Sequence, residues 1–449
     1  MGLPEFLREA SNKLRLMIPS STKAILKHVG LDTHAETIAV GVADPTGEVR
    51  SYGNIPAHTH ALDKLHQRLS ADGCEVRYVY EAGPTGFALC RHLRSKGIVC
   101  EVVCPSLVPK RPSDRIKTDR RDAIALARLF RAGELTYITV PSEADEAIRD
   151  LVRVRLAAVE DLRRCRQRIK GFLLRYGRRY SGTSSWTAEH LNYLSRQRFP
   201  FPAQQIAFEE LIKAAEDPAA RLERITASLE EQARKWDRFR LVQAFMCLRG
   251  MALINAITWV AEIGDFSRFD HPSKLAAFIG ITPSEDSSGQ RRRLGSITKT
   301  GNEACRRAAV EAAWHYRLPA KVSPTIRARQ HGQSQEIIAT AWKAQLRLCA
   351  RFRTHLAARK KTVVAVTAVA RELVGFLWAI ARIVDGHPVP QRESKSTRKS
   401  PAQQPIAPPT HGKPGTIAKK RTSTAATTPK TSGRVYIIDE KRKLKMRKP

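Results

Sequence analysis

Four acidic residues occupy positions that a sheet and a helix would bring together. Asp32 ends an apolar strand pattern in GLDTH, and Glu81 ends a second such pattern in VYEAG. Asp119 and Asp122 lie three residues apart in KTDRRDA, so a helix turns them to the same side. Strand ends at one sheet edge, crossed by such a helix, can place all four carboxylates within a few ångströms of one another.

Like charges at that spacing repel one another unless cations bind between them. Carboxylate oxygens are the ligands that Mg²⁺ prefers, and two such ions roughly 4 Å apart can bind the attacking and leaving oxygens of a phosphodiester. We therefore predict that the four residues bind Mg²⁺. Taken singly, each acid has an ordinary alternative role as a turn or cap residue, and Asp119 could cap its helix or pair with a neighbouring Lys or Arg.

A second candidate site lies in the segment EDSSGQRRRLGSITKTGN. Ser288 precedes Gly289, a residue type that adopts backbone shapes few others tolerate. A serine hydroxyl attacks DNA only when the phosphate charge is neutralised and a base or metal is nearby. The candidate phosphate-binding residues here are Arg291, Arg292, Arg293, Lys299 and Arg306. On residue types alone, a loop that merely contacts phosphate is the commoner role, and Ser287 is the adjacent competitor.

Strand and helix patterns divide the chain into four parts and predict the fold class α/β plus α. Residues 24–143 alternate strands, a hairpin and helices, which is typical of a mixed-sheet α/β domain. Residues 144–240 contain two long stretches with apolar residues at 3-4 spacing, which predict a coiled-coil-like helical arm. Residues 241–386 are mostly helical, with a loop at 283–301. Residues 387–449 are rich in Pro, Thr, Ser and Lys and poor in large apolar residues, so we expect a disordered basic tail.

The charge balance points to a polyanionic partner. The 449-residue chain has 78 Lys and Arg against 43 Asp and Glu, a net charge of +35. Residues 391–449 contribute 16 basic and 3 acidic residues, so the rest keeps a net charge of +22. This excludes an ordinary acidic cytosolic enzyme and favours nucleic acid, with a membrane surface as the second candidate. Basic residues of the arm between Arg153 and Arg179 are either a phosphate-contacting face or a solvated one.

Cysteine usage and the apolar runs indicate a cytoplasmic protein without a membrane span. The eight Cys form no CxxC pair, which favours free thiols in a reducing compartment. No signal peptide is visible near Met1. The longest apolar run, Thr362–Val384, has Arg371 and Glu372 at its middle, and each costs about 3 kcal/mol in a bilayer. We expect a packed helix there.

Two groups of motifs resemble one known family. LKHVGLDTH, YEAGPTG and IKTDRRDAIALARL are similar to the RuvC-like, ribonuclease H-like first domain of the DEDD transposases of insertion sequences, the IS110 family. LAAFIGITPSEDSSGQRRRLGSITKTGNEACRRAAVEAAW resembles the second transposase domain of that family. Family members often have a Pro-Gly-Ile-Gly turn before this domain. Here only Gly250 remains of it, so we expect Met251, Leu253 and Ile254 to belong to the core.

The resemblance implies a bacterial, nucleoid-associated DNA recombinase. In the family the catalytic serine immediately precedes the glycine, which corresponds to Ser288 here. The family also implies a noncoding bridge RNA that pairs with donor and target DNA. It further implies dimers or tetramers, in which one subunit's DEDD domain and another's serine domain form a composite site.

Three other functions stay open on the sequence. A RuvC-like junction nuclease would use metal-activated water and need no serine. A nonenzymatic RNA- or DNA-binding protein would need none of the carboxylates. A sugar-kinase-like ATPase also begins with a strand followed by Asp-Thr, but it needs further phosphate-binding loops that the sequence lacks.

Removal of residues 391–449 tests the predicted tail. Because the segment lacks residues for a core, its loss should leave the thermal unfolding midpoint unchanged. The loss of 16 basic residues should reduce the salt dependence of nucleic-acid binding. Thermal scans and binding titrations at several salt concentrations measure both. A lowered midpoint would show that the tail packs on the body.

Overall fold

A computed structural model describes residues 26–109, 118–289, 291 and 293–387. Arg292 and residues 388–449 of the predicted tail lie outside the described residues. The N-terminal part is built on five strands: β1 (Leu26–Thr33), β2 (Thr37–Ala43), β3 (Val49–Pro56), β4 (Glu75–Glu81) and β5 (Cys100–Val103).

The sheet is mixed, as the sequence predicts. Its strand order is β3-β2-β1-β4-β5. β2 runs antiparallel to both β1 and β3, whereas β4 runs parallel to β1 and β5 runs parallel to β4. β1 and β4 are therefore adjacent, and their carboxyl ends lie side by side. This places the ends of the GLDTH and VYEAG motifs next to each other.

Helices cover both faces of the sheet. On one face, α1 (Thr59–Ser70) and α2 (Ala88–Ser95) bury leucines such as Leu62 and Leu93 against alternate strand residues. A 3₁₀ turn (Pro105–Leu107) follows β5. On the other face, α3 (Asp119–Ala132) packs Leu126 and Phe130 against Val79 of β4. Each face therefore has its own apolar core, because successive strand residues point to opposite sides.

The backbone of α3 rests directly on two glycines of the sheet. A Cβ atom at Gly41 would lie 2.5 Å from the carbonyl oxygen of Ala123, and one at Gly30 would lie 2.5 Å from the amide nitrogen of Ala127. Real Cβ atoms do not approach backbone atoms so closely, so only glycine permits this packing distance. The contact fixes where α3 lies over β1 and β2.

The predicted arm is a helical hairpin. Its long helices α4 (Glu143–Arg175) and α6 (Pro202–Arg234) run antiparallel, and α5 (Ala188–Ser195) lies between them near the tip. The apolar seam predicted on α4 is buried at Ile148, Val152, Leu162, Ile169 and Leu173. The apolar spacing predicts that this helix continues to Tyr180. It ends at Arg175 because Gly177 takes a positive φ of 69°.

The C-terminal part consists of helices and one small hairpin. Its elements are α7 (Phe239–Met246), α8 (Leu253–Ile263), α9 (Pro272–Phe278), β6 (Pro283–Glu285), β7 (Leu294–Ile297), α10 (Glu303–Ala313), a 3₁₀ turn (Trp314–Arg317), α11 (Pro324–Gln330), α12 (Gln335–Ala357) and α13 (Thr362–Val384). Residues 283–301, predicted as a loop, therefore contain a two-stranded antiparallel hairpin.

One apolar core joins the C-terminal part to the base of the arm. The arm residues in it are Ile148, Val152, Leu229, Ala233 and Trp236. At the start of α4, the buried Asp145 accepts hydrogen bonds from Trp236 Nε1 and Arg238 Nε, both at 2.9 Å. Packing therefore continues across the predicted boundary at residue 240.

The turn between α7 and α8 is fixed by Gly250. Its φ is +84°, and a Cβ atom there would lie 2.5 Å from the carbonyl oxygen of Ala312 on α10. Met251 is fully buried, and Leu253 and Ile254 pack partly buried against the same core. The prediction that these three residues belong to the core is confirmed.

α13 is the apolar run of the sequence, and it packs inside the C-terminal part. It is long and apolar enough to cross a membrane, but half of its most apolar 18-residue window is buried in the protein. Glu372 near its centre accepts hydrogen bonds from Arg347 Nε at 2.8 Å and pairs with Arg351 Nε at 2.9 Å, both on α12. The prediction of a packed helix is confirmed. All eight Cys are free thiols, also as predicted.

The glycine contact under α3 predicts a pair of opposite stability changes. Gly41→Ala should lower the free energy of unfolding by about 1–3 kcal/mol, because the new Cβ must displace the backbone of α3. Gly171→Ala on the exposed side of α4, where the added Cβ meets nothing within 4 Å, should instead stabilise by up to about 1 kcal/mol. Chemical denaturation measures both, and equal effects would contradict the packing described here.

Candidate active site

Asp32 and Glu81 lie side by side on the face of the sheet that α3 covers. Leu31 of β1 and Tyr80 of β4 are register partners, so the residues that follow them are neighbours. Gly30 contacts α3, and the residue two positions later on the strand, Asp32, shares its face. Glu81 shares the face of Val79 in the same way.

The first turn of α3 carries the other two predicted ligands. Thr118 caps this helix, its hydroxyl accepting a hydrogen bond from the amide of Arg121. The alternative role of Asp119 as the N-cap is therefore wrong. Because α3 starts over the carboxyl end of β1 and runs back along the strand, Asp119 and Asp122 lie above the end of the sheet near Asp32. The helix covers the sheet face here, whereas the sequence predicted that it crosses an edge.

His34 joins this group, although it was not among the predicted ligands. Its Nε2 lies 3.4 Å from Asp32 Oδ2 and 3.5 Å from Asp119 Oδ1. One ligand atom from each of the three residues lies within 4.8 Å of the other two. The signal for His34 was its position two residues after Asp32, which places it in the tight turn between β1 and β2.

The pKa of the Asp32 carboxyl reflects its burial and its charged neighbours. Burial raises the pKa of its carboxyl above the ordinary value, and repulsion by Asp122 and Asp119 raises it further, while His34 opposes the shift. The Asp32 side chain is 22% exposed and that of Asp119 is 55% exposed. The site is therefore half-open, with room for an external charge between its acids.

The donor set fits a divalent cation. Oxygen atoms dominate it, and a nearby imidazole adds a nitrogen ligand that borderline metals accept. We call Asp32, Glu81, Asp119 and Asp122 the carboxylate cluster. Burial is the largest cause of the raised pKa of Asp32, the nearby carboxylates add to it, and a bound cation would offset both.

Ser288 lies at the tip of the hairpin formed by β6 and β7, which we call the serine hairpin (residues 283–297). Its amide donates to the carbonyl of Arg291 at 3.3 Å, and the amide of Arg291 donates back at 3.1 Å. The two side chains are thus cross-strand neighbours on one face. Gly289 follows in the left-handed conformation, with φ +56°.

The two adjacent serines differ in what their hydroxyls do. Ser287 Oγ donates to Glu285 Oε1 at 2.9 Å and accepts from the amide of Arg293 at 3.1 Å. Its hydroxyl therefore stabilises the hairpin. The exposed hydroxyl of Ser288 makes no hydrogen bond to the described part of the chain.

The predicted phosphate-binding residues divide into exposed and structural ones. Arg291, Arg293 and Lys299 are exposed, and Lys299 has an unusual positive φ of 57°. Arg306 is half-buried, and its Nη1 donates to the carbonyls of Ile279 at 2.7 Å and Thr300 at 3.3 Å. These hydrogen bonds from Arg306 therefore stabilise the segment that follows the serine hairpin.

Several basic residues of the arm are paired within the protein. Arg153, predicted on the outer basic face, forms two hydrogen bonds with the carboxylate of Glu262. Arg163 and Arg164 both pair with Glu160. Arg153 thus forms an ion pair that sequence spacing does not reveal across 109 residues, while its side chain stays 56% exposed. The phosphate-contacting or solvated role of this face stays a prediction.

The cluster and the serine belong to separate cores. The carboxylates lie on the α/β domain, whereas the serine hairpin extends from the helical core of the C-terminal part. The structure brings Asp32, Glu81 and the first turn of α3 together in one place, and it presents Ser288 in another.

Comparison with known proteins gives consistent matches over both parts. Residues 29–177 match the family model of the IS110-type DEDD transposase domain, described as a transposase, and residues 242–329 match that of the IS116/IS110/IS902 transposase family. The protein y4qE of Sinorhizobium fredii, which carries a provisional transposase name, is 44% identical over 356 residues, 79% of this chain and 88% of its own length. The transposase for insertion sequence element IS1533 of Leptospira borgpetersenii is 32% identical over 342 residues, 74% of this chain and 98% of its own length.

The carboxylate cluster predicts a stabilisation by Mg²⁺ that depends on Asp32. At Mg²⁺ concentrations roughly 100-fold above Kd, binding should add about 2.7 kcal/mol to the free energy of unfolding. Asp32→Asn should abolish this response. It should not lower the melting temperature in EDTA, because the raised pKa means that an ionised Asp32 destabilises the folded metal-free protein at neutral pH.

Asp63 provides the control for this measurement. Its side chain is also 22% exposed, but it pairs with His92 and Lys96 on α2. Asp63→Asn should keep the full Mg²⁺ response. An equal response in the Asp32→Asn protein would show that the metal binds elsewhere.

Proposed function

The chain belongs to the IS110 family of insertion-sequence transposases, and from this premise we propose that it cuts and rejoins DNA with the carboxylate cluster and Ser288 as its catalytic groups. The observation that carries the proposal is the exposed Ser288 hydroxyl, which bonds to none of the described hairpin residues and stands beside Arg291. Its neighbour Ser287 is committed to local hydrogen bonds.

In this proposal Asp32, Glu81, Asp119 and Asp122 hold Mg²⁺. A bound ion would supply charge neutralisation at the scissile phosphate and would ease loss of the proton from the attacking hydroxyl. The chain's own residues orient the reaction. The four carboxylates fix the site at the end of the sheet, and His34 hydrogen-bonds Asp32 and lies 3.5 Å from Asp119.

Ser288 Oγ forms a bond to phosphorus while the bond from phosphorus to one sugar oxygen breaks. Ser288 Oγ loses its proton, and the leaving sugar oxygen takes up a proton to become a free hydroxyl, so the proton count balances. The phosphoserine ester retains the bond energy. The reverse attack by the hydroxyl of another strand end rejoins the DNA and restores the serine. Arg291, Arg292, Arg293, Lys299 and Arg306 are the proposed contacts to the phosphates around it.

The proposed active unit contains at least two copies of the chain. Because the cluster and the serine belong to separate cores, a serine hairpin from one subunit can meet the cluster of another. We propose a dimer or tetramer of this kind on DNA. A noncoding bridge RNA is the proposed guide, and the net charge of +22 outside the tail provides the surface for both nucleic acids. The place of action would be the nucleoid in the bacterial cytoplasm.

A water-using junction nuclease of the RuvC type is the second candidate function. The carboxylate cluster with His34 favours it, since that site is built without any contribution from the serine hairpin. In such an enzyme Ser288 would only contact phosphate, and cleavage would release a free strand end with no protein attached.

Ser288→Ala separates the two candidates. The variant should bind nucleic acid normally yet form no covalent protein–DNA adduct on a denaturing gel, because the proposed nucleophile is gone and the neighbouring Ser287 hydroxyl is held by Glu285 and the amide of Arg293. The substrate is end-labelled DNA with the element's own ends, together with RNA transcribed from its noncoding flank. Ser287→Ala, which loses only hairpin hydrogen bonds, should keep the adduct.

Asp119→Asn completes the test. It should bind DNA and form no adduct, since removal of a negative charge does not weaken phosphate contact. Adduct formation by Ser288→Ala would refute the serine mechanism. Cleavage without any adduct in the wild-type protein would favour the nuclease.

A further inference from the structure

Glu262 is a buried carboxylate that joins three parts of the molecule. It lies in the last turn of α8, and its side chain is 3% exposed. Oε1 accepts a hydrogen bond from Arg153 Nε at 2.9 Å, and Oε2 accepts from Arg153 Nη2 at 3.1 Å and from Asn302 Nδ2 at 2.7 Å. Such an ion is tolerated inside a protein only when its hydrogen bonds are satisfied in good geometry.

Asn302 connects this carboxylate to the chain that leaves the serine hairpin. It is the N-cap of α10, and its Oδ1 accepts from the amide of Cys305 at 2.9 Å. The backbone amide of Asn302 donates to the carbonyl of Phe278 at 3.3 Å. Both polar atoms of the Asn302 side chain are thus used, which fixes its orientation.

The segment before Asn302 is held backbone against backbone. Thr298 N donates to the carbonyl of Thr282 at 2.9 Å, and Lys299 N donates to that of Gly280 at 3.0 Å. A Cβ atom at Gly280 would overlap the carbonyl oxygen of Thr300. The base of the serine hairpin therefore cannot move independently of Asn302.

On the other side, Arg153 belongs to the stretch of α4 that contacts the α/β domain. Two turns earlier on the same helix, Glu146 forms a close ion pair with Arg91 of α2. Arg149, between them, lies with its guanidinium 5.8 Å from the centre of the Phe87 ring. Phe87 stands in the loop that follows Glu81 of the carboxylate cluster. The first three turns of α4 thus contact the α/β domain through Glu146 and Arg149, and the C-terminal part through Arg153.

We propose that Glu262 is a positioning residue that sets the place of the serine hairpin relative to the arm, through Arg153 on one side and Asn302 on the other. The inference rests on the proposed role of Ser288. Because the bonds of Glu262 are the polar link between α4 and the hairpin base, their loss lets the hairpin shift while the apolar core stays packed. A displacement of about 1 Å at a nucleophile can reduce the rate about 100-fold.

Glu262→Gln tests the link with little change of shape. Whichever way the new amide turns, its Nε2 group faces a donor, Nδ2 of Asn302 or Nε of Arg153, so one side of the link is lost. Adduct formation at saturating DNA should fall by about 10- to 100-fold, with DNA affinity unchanged, since Glu262 is buried. The readouts are single-turnover adduct rates, binding titrations and melting temperatures.

Glu372→Gln is the matched control. Glu372 is also a helix carboxylate paired with arginine, here Arg347 and Arg351, but its side chain is 19% exposed and it ties α12 to α13. The substitution should lower the melting temperature and leave the adduct rate at the wild-type level. An equal loss of rate in this variant would reduce Glu262 to a general stabilising role and overturn the proposal.

A reciprocal swap gives the decisive comparison. Asn302→Asp alone places two carboxylates against each other and should slow adduct formation, although Asp remains a good N-cap. Combined with Glu262→Gln, the amide of residue 262 can donate to the carboxylate at 302, so the double variant should recover most of the rate. If Glu262→Gln does not fold, the Asn302→Asp protein and the double variant still carry the comparison.

The outcomes keep this inference separate from the proposed function. An adduct formed by Ser288→Ala refutes the serine mechanism whatever Glu262 does. If Ser288→Ala forms no adduct, two results would overturn the positioning role alone. The first is a wild-type adduct rate in Glu262→Gln. The second is a double variant that forms the adduct as slowly as the slower of the two single variants.

Discussion

The contact between α3 and the two glycines of the sheet is the constraint on which the carboxylate cluster depends. Gly30 and Gly41 carry no Cβ, so the backbone of α3 at Ala123 rests directly on β1 and β2. That distance lets residues in the first helical turn approach the strand end that carries Asp32. The apolar side of the helix, buried against Val79 and its neighbours, supplies the free energy that holds like charges together. The raised pKa of Asp32 is the electrostatic cost of this arrangement.

The serine hairpin differs from the cluster in that the proposed nucleophile needs a fixed backbone and an available hydroxyl. The two adjacent serines divide these requirements. Ser287 bonds to Glu285 and to the backbone of Arg293, and so stabilises the tip, while the exposed Ser288 hydroxyl bonds to no residue in the described part of the chain. The left-handed Gly289 closes the turn and places Arg291 across from Ser288. A cation beside the hydroxyl is the environment that a reaction at a phosphate requires.

The arm packs against both the α/β domain and the C-terminal part. Its base contributes to the core of the C-terminal part, and the start of α4 pairs with α2 through Glu146 and Arg91. The two family matches cover residues 29–177 and 242–329, so α4 lies within the first match and α5 and α6 lie between the two. Since α4 is one continuous helix, a change in its seating is transmitted along its length to the residues that hold the hairpin base. Energetic coupling between two sites requires an element with two arrangements whose equilibrium both sites shift. Here that element would be α4, and the sites are the α/β domain and the base of the serine hairpin.

The sequence by itself determined the α/β domain, the five strands, the helical arm, the buried apolar helix and the four candidate ligands. Each of these depends on local periodicity or on spacing within one element, and strand alternation carries Asp32 and Glu81 to a common face without further information. Only the tertiary structure decided that Thr118 caps α3, that His34 lies beside Asp32 and Asp119, and that residues 283–297 form a hairpin. It also decided that Arg153 pairs with Glu262. These features depend on which polar groups meet across loops or across 109 residues, and the free energy of such a pair comes from shared burial, which no local pattern records.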